Sequence, residues 1–294
     1  MIIDCHYHLD PEMVPLDALL SSMDRHGLDR AALIPRLNPP LHVSPLLQKL
    51  AFPIFLYGLH RATGPFHRLM QAIYQFNVKA DATVDVLGKR YAVLAQPPNQ
   101  EVADAVAAHP DRFYGWICVN PRGPSEPLAE IEKFCRRPGM IGVKAHPYWH
   151  DYPVERLRDA AAWCEQHGKP MLIHLGLGPN GDYQYLPKHF PRLNIIYAHA
   201  GIPYSREVCA LAGEKNRVFV DLACTAYVDL QAARMAIAQA GAGKCLFGSD
   251  GPYFHDRGKM MDFAPYRSLI ETLGLSAPDQ EKVLGKNFLS LIAT

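Results

Sequence analysis

Short runs rich in isoleucine and valine recur along the chain, each followed by a stretch whose apolar residues fall at helical spacing, and eight such pairs can be counted. That alternation is the pattern of repeated strand–helix units around a parallel sheet. The expected strands are MIIDC (1–5), RAALIP (30–35), FYGWICV (113–119), MIGVKA (140–145), PMLIHL (170–175), NIIYAH (194–199), RVFVDL (217–222) and KCLFGS (244–249). The expected helices include LDALLSSMDRHG, QEVADAVAAHP, PLAEIEKFC, VERLRDAAAWCEQHG, SREVCALAGE and DLQAARMAIAQAG, several of which end at a glycine, as helices commonly do. Eight units in 294 residues suit an α/β fold of the (β/α)8 TIM-barrel type, which typically takes about 250 residues. A doubly wound open sheet would more often have fewer strands.

One segment breaks the rhythm. About 60 residues, 36–98, separate the second strand from its helix, where about two to six are usual. The segment contains the helical-looking pieces SPLLQKLAF, HRLMQAIYQFNVKA and ATVDVLGKRYAVLA, and it reads as a helical insertion within a single domain spanning 1–294. In a barrel, the loops after strands sit at the catalytic mouth. The insertion is therefore a candidate lid or dimer contact, and equally a decorative subdomain. Its aromatics Phe52, Phe55, Tyr57, Phe66, Tyr74 and Phe76 form either its own core or a subunit interface, which makes a homodimer a candidate assembly.

Charge narrows the partners. With 30 Lys+Arg against 29 Asp+Glu, the chain carries no net field that would favour nucleic acid, an anionic membrane or a polyanion. A small molecule or another subunit is expected instead. The seven cysteines are scattered and include no CxxC pair, which reads as mostly buried thiols in a reducing cytoplasm. The chain starts directly on a strand, so no secretory signal is expected. Its most apolar window, LAFPIFLYGL at 50–59, is about half of a bilayer span and contains a proline, so no membrane span is expected either.

Polar residues at the carboxyl ends of barrel strands face the mouth where chemistry occurs. The first strand leads into His6 and His8, two apart and so on the same face of an extended chain. The fourth leads into Lys144 and His146, the fifth into His174, the sixth into His199 and the eighth into Asp250. Four histidines and an aspartate from strands one, five, six and eight are hard to explain by stability alone. Imidazole and carboxylate together suit a borderline divalent ion such as zinc.

The segments DCHYH, LIHLG, IIYAHAG, LFGSDGPY and GKNFLSLI, in that order, resemble the amidohydrolase superfamily. The short lead and the GSDGPY segment are similar to its amidohydrolase-related branch, which includes aminocarboxymuconate semialdehyde decarboxylase and related metal-dependent hydrolases. The resemblance leaves mainly 36–98 unmatched. It implies His6, His8, His174 and Asp250 as ligands of one divalent ion, zinc being the expected metal, with Asp250 and His199 as the catalytic groups. The implied activity is hydrolysis of an amide, lactone or related bond of a small organic acid by metal-activated water. The alternative is a metal-dependent non-oxidative decarboxylation of an unsaturated or aromatic carboxylic acid. The resemblance also leaves room for a metal-independent lactonase, and a non-catalytic barrel is the reading from another class.

Lys144 is read as a contact to a substrate carboxylate or an ordinary barrel lysine, rather than the carboxylated, metal-bridging lysine of some amidohydrolases. His146 is read as a substrate contact or a support for the ligands. Around the rim, Arg36, Trp149, His150, Tyr227, Tyr253 and His255 are either loop anchors or contacts to a substrate carrying a carboxylate, which arginine binds in a two-pronged geometry.

Overall fold

The structure, a computed structural model, describes residues 1–39, 45–61, 63–79, 81–86, 88–253 and 260–293; His255 of the expected rim lies outside the described residues. In chain order the strands are β1 (Ile3–Leu9), β2 (Arg30–Pro35), β3 (Val78–Lys79), β4 (Thr83–Val86), β5 (Lys89–Ala92), β6 (Phe113–Val119), β7 (Met140–Ala145), β8 (Met171–Ile173), β9 (Ile195–Tyr197), β10 (Val218–Asp221) and β11 (Cys245–Leu246). All but β3, β4 and β5 form one 8-stranded sheet in the order β1-β2-β6-β7-β8-β9-β10-β11, with parallel pairing throughout. Each of the eight expected strands is therefore present. β1 runs further than its apolar lead, so His6 and His8 lie within the strand.

The sheet closes on itself. The backbone after β11 returns to β1 through Cys5 N–H to Phe247 O (3.0 Å), Asp250 N–H to His6 O (2.7 Å) and His8 N–H to Gly251 O (2.6 Å). Tyr7 bridges Gly251 at this seam. A β-carbon at 251 would stand 2.7 Å from the Tyr7 ring and 2.6 Å from Met261 Cε, so the seam needs glycine there.

Neighbouring residues on the strands divide between two apolar clusters. Leu33, Ile173, Ile195, Val218 and Cys245 pack outward against the surrounding helices. Ile34, Leu172, Ile196, Phe219 and Leu246 pack inward with Ile3, Cys5 and Trp116. Phe288 and Leu291 of the helix Asn287–Ile292 join the inner cluster and plug the amino-terminal end of the barrel. Each such side chain, fully buried, contributes about 1.5–3 kcal/mol. Trp116 also satisfies its ring N–H on Cys5 O at 3.1 Å. The register of β1 on β2 shifts between Asp4 and Tyr7. Ile3 and Cys5 are therefore inward, yet Tyr7 belongs to the outer cluster and the imidazoles of His6 and His8 turn in above the apolar plug.

Helices fill the crossovers at Leu16–His26 (α1), Asn99–Ala108, Pro127–Phe134, Arg158–Gln166, Ser205–Glu214 and Leu230–Ala240. The insertion supplies α2 (Pro45–Leu56) and α3 (Gly64–Phe76), joined by a π-helical turn at Tyr57–Arg61. Its last piece, ATVDVLGKRYAVLA, is not helical as expected: β3, β4 and β5 form an antiparallel meander. Alternation explains the difference, because Thr83, Val84 and Val86 suit a pleated surface and Val84 is buried. Gly88, at φ +85°, supplies the left-handed residue of the turn between β4 and β5. The insertion exposes Leu46, Leu50, Ile54, Leu69, Ile73 and Phe76. All seven cysteines are free, and only Cys135 is not buried. Among the described residues, no helix is long and apolar enough to cross a membrane.

Candidate metal centre

The hydrogen bonds of three imidazoles fix their chemistry. His8 Nδ1 lies 3.2 Å from Pro35 O, and His199 Nδ1 lies 3.1 Å from Ala223 O. A carbonyl oxygen can only accept, so in both rings Nδ1 carries the hydrogen. His6 Nδ1 donates likewise to Asp221 Oδ2, at 2.9 Å. Burial lowers the basicity of all three, that of His199 to about 4 and those of His6 and His8 well below the usual imidazole value, so the rings are neutral at pH 7. The remaining nitrogen of each is then a bare lone pair.

Those lone pairs converge on one carboxylate. Asp250 Oδ1 is 3.2 Å from His6 Nε2 and 3.5 Å from His8 Nε2, while its Oδ2 is 3.9 Å from His199 Nε2. Electron-rich atoms repel unless a cation shares the space. Lys144, fully buried, brings its amino nitrogen to 3.3 Å from His6 Nε2. Burial lowers the basicity of that amine and raises the pKa of Asp250, and each of the two charges opposes the shift of the other. His6, His8 and Asp250 form a group that can hold a metal ion, and His6, His199 and Asp221 form a second. The first is the better fit. In the second, the contact between His6 and Asp221 is already a hydrogen bond of the kind that orients a ligating imidazole.

Backbone geometry aims these side chains. His199 (φ 53°), Cys224 (φ 66°) and Asp250 (φ 60°) take left-handed conformations just beyond β9, β10 and β11. Such conformations cost about 1–3 kcal/mol each and persist where the surroundings impose them, often at functional sites. Asp221 contributes twice more, accepting from the backbone N–H of His199 (2.7 Å) and of Ala223 (3.1 Å). Beneath the cluster, Asp4 accepts from His6 N–H, Ser249 N–H and the Ser249 hydroxyl, and its burial pushes its pKa up to about 7.

The other expected residues divide. His146, Trp149, His174 and Tyr253 line one small pocket with His8, His199 and Asp250. His174 is in neither metal-capable group among the described residues; its Nε2 shares a 2.8 Å hydrogen bond with the Tyr74 hydroxyl of α3. His146 stacks on His174 with ring centroids 4.2 Å apart, and its Nδ1 accepts from Trp149 N–H at 3.0 Å. Tyr253 packs on His8 and donates to Asn38 Oδ1 at 2.9 Å. Lys144 lies under the cluster rather than on the pocket wall. Arg36 lines no pocket described here, and its guanidinium lies 2.8 Å from Glu12 and 3.5 Å from Glu101. Sequence reasoning passed over Asp221, and it gave Tyr74 no place at the site. Asp221 ends β10, so the strand-end rule that singled out the histidines also applies to it. Tyr74 was read only as a core or interface aromatic of the insertion, and nothing in the sequence pointed to its bond with His174.

His150 anchors a loop, with Nε2 3.2 Å from Leu94 O, and burial lowers its pKa to about 4. Unfolded, it would titrate near about 6.5. As pH falls from about 6.5 to 4, the unfolded chain takes up a proton that the folded chain refuses, so stability is lost on acidification. His150→Gln is expected to lose about 2 kcal/mol less than the parent between pH 7 and 5, read by denaturant titration at the two values. Asp4 has the opposite sign, since its raised pKa disfavours the folded state as pH rises, but it is common to both proteins.

The sequence model of the family described as Amidohydrolase matches residues 3–287. The chain belongs to the amidohydrolase family. Solved structures similar to this amidohydrolase include an uncharacterized TIM-barrel protein from Bordetella bronchiseptica, 16% identical, with TM-score 0.65 over 99% of this chain and 98% of the other. The 5-carboxyvanillate decarboxylase of Sphingomonas paucimobilis is 16% identical, with TM-score 0.59 over 99% and 98%. A probable 2-pyrone-4,6-dicarboxylic acid hydrolase from Acinetobacter baumannii, with citric acid bound, is 12% identical, with TM-score 0.60 over 100% and 99%. Among curated proteins, no sequence match is found. The fold is thus shared by decarboxylases and hydrolases, and it does not choose between them.

Proposed function

We propose that this amidohydrolase is a metal-dependent hydrolase of an amide, lactone or related bond in a small carboxylate substrate. The observation that carries the reading is the convergence of three imidazole lone pairs on Asp250. His6, His8 and Asp250 would hold one divalent ion, with zinc suited to the nitrogen and oxygen donors. His174, which faces the same pocket, is the fourth donor in this reading; its Nε2 would have to give up the Tyr74 hydroxyl. When bound, such an ion supplies Lewis-acid polarisation and acidifies water near it.

The chain's own groups then divide the proton work. Asp250 accepts the proton of the attacking water. That proton passes from Asp250 Oδ2 to the lone pair of His199 Nε2, 3.9 Å away, and from there to the leaving group, while the imidazolium so formed steadies the oxygen on which charge develops. His146, Trp149 and Tyr253 orient the substrate. Asp221 holds the His6 ring so that Nε2 points inward. Asp221→Asn is expected to weaken metal binding by about 10–100-fold, as partners of ligating histidines typically do, and a chelator-competition titration reads this directly.

Decarboxylation uses the same pocket without an attacking water. Offering the metal-loaded protein lactones, amides and unsaturated carboxylic acids, while following acid formation and CO₂ release separately, tests the proposal. Hydrolysis without CO₂ supports it, and CO₂ release from an acid that is otherwise unaltered replaces it with the decarboxylase reading.

A further inference from the structure

The pocket beside His8, His199 and Asp250 has a volume of only about 20 Å³, room for little more than one water. The body of any substrate must therefore lie elsewhere. On the side of the insertion a second cavity of about 440 Å³ adjoins it, and Val86, Trp149 and Tyr227 line both. This volume falls within the range of ordinary small-molecule sites, about 300–1,000 Å³. We propose that this chamber, built mainly by the insertion, receives the apolar body of the substrate while the reacting head lies at the metal centre. The inference rests on the hydrolase reading above only for what happens to the head.

Three observations support an apolar occupant. Phe55, Met70, Ile73 and Val84 furnish the walls. Among the described residues of the lining the one charged group, Asp85, is already engaged by Lys79 at 3.4 Å and Arg90 at 3.2 Å, so it offers no free charge to a ligand. Ile54 and Ile73, exposed at 61% and 40%, carry the apolar lining out to solvent, as an entrance for a greasy group requires.

The wall nearest the metal centre ties the two spaces together. Tyr74 lines the chamber while its hydroxyl bonds His174, and its ring stacks on Tyr148 with centroids 4.0 Å apart and planes 9° from parallel. Tyr148 in turn donates its hydroxyl to Tyr74 O. The occupant so defined is an amphipathic molecule: a carboxylic acid, or its lactone or amide, carrying an alkyl chain or aromatic ring. Discrimination among such substrates then comes from α2, α3 and the meander, while the barrel supplies the chemistry.

Straight-chain butanoate, hexanoate, octanoate and decanoate, titrated calorimetrically into the full-length protein as purified, test this without requiring turnover. Affinity is expected to rise about three- to fourfold per methylene from hexanoate to decanoate. Ile73→Trp, at a partly exposed position, fills the chamber and is expected to weaken octanoate at least tenfold while changing butanoate little. Phe76→Ser alters the exposed apolar surface outside the chamber and is expected to leave octanoate binding unchanged. A flat chain-length series, or equal weakening of octanoate by both variants, overturns the chamber. A steep series together with no hydrolysis of any lactone or amide retains the chamber and removes the hydrolase reading.

Discussion

Asp250→Ala is expected to lose the divalent ion and to lower kcat by about 10³-fold or more, since a general base alone accounts for about 10²–10⁴. The carboxylate is the only acidic group that the three lone pairs of His6, His8 and His199 face together among the described residues. Its removal takes away both an anionic donor and the proton acceptor. Metal content measured on protein purified without chelator should be about one ion per chain in the parent, because the two candidate groups among the described residues share His6. It should approach zero in the variant. Asp250→Asn, which keeps the volume of the side chain, guards against loss of fold, and a thermal melt of both variants checks it. Full metal content in Asp250→Asn would remove Asp250 from the ligand set.

His199→Ala is expected to separate chemistry from metal binding. Its Nε2 stands 3.9 Å from Asp250 Oδ2, further than those of His6 and His8 from Oδ1, and its place in the reading is to handle charge and protons on the substrate. A fall in kcat of about 10²–10⁴-fold with metal content kept is the expected result, and KM should change far less than kcat. His174→Ala gives the useful contrast. Because the Tyr74 hydroxyl already occupies His174 Nε2, its loss should weaken metal binding by less than the loss of His6 or His8. Equal loss of metal in His199→Ala and His8→Ala would move His199 into the ligand set.

The barrel was legible because its signals are local. Each βα unit repeats the same switch between extended and helical periodicity, and eight repeats leave little room for another architecture. His6, His8, His199 and Asp250 could be found because barrel chemistry sits where strands end, so position along a strand reports position in space. Asp221, at the end of β10, was open to the same strand-end reading and was passed over. The meander at 83–92 was misread as helix because Val, Leu, Arg and Ala at short range satisfy both periods, and the glycine turn at Gly88 decides between them only once β4 has found β5. The bond between Tyr74 and His174 could not have been read at all. It joins residues 100 positions apart through packing of the insertion, and nothing in the neighbourhood of either residue encodes that distance.

The seam that closes the barrel has a consequence for when the centre comes into being. Among the barrel's residues His6 and His8 are made early and Asp250 late; the contact between Asp4 and Ser249 beside them spans 245 residues. A growing chain therefore carries two histidines of the cluster with no carboxylate to face them, and any divalent ion they capture is held by a fragment of the site. Only when the final strand zips onto the first do these donors meet, so on the metal reading proposed above tight loading of the ion would follow closure of the barrel. On that reading, metal retention would double as a readout of whether the first and last strands of the barrel have joined.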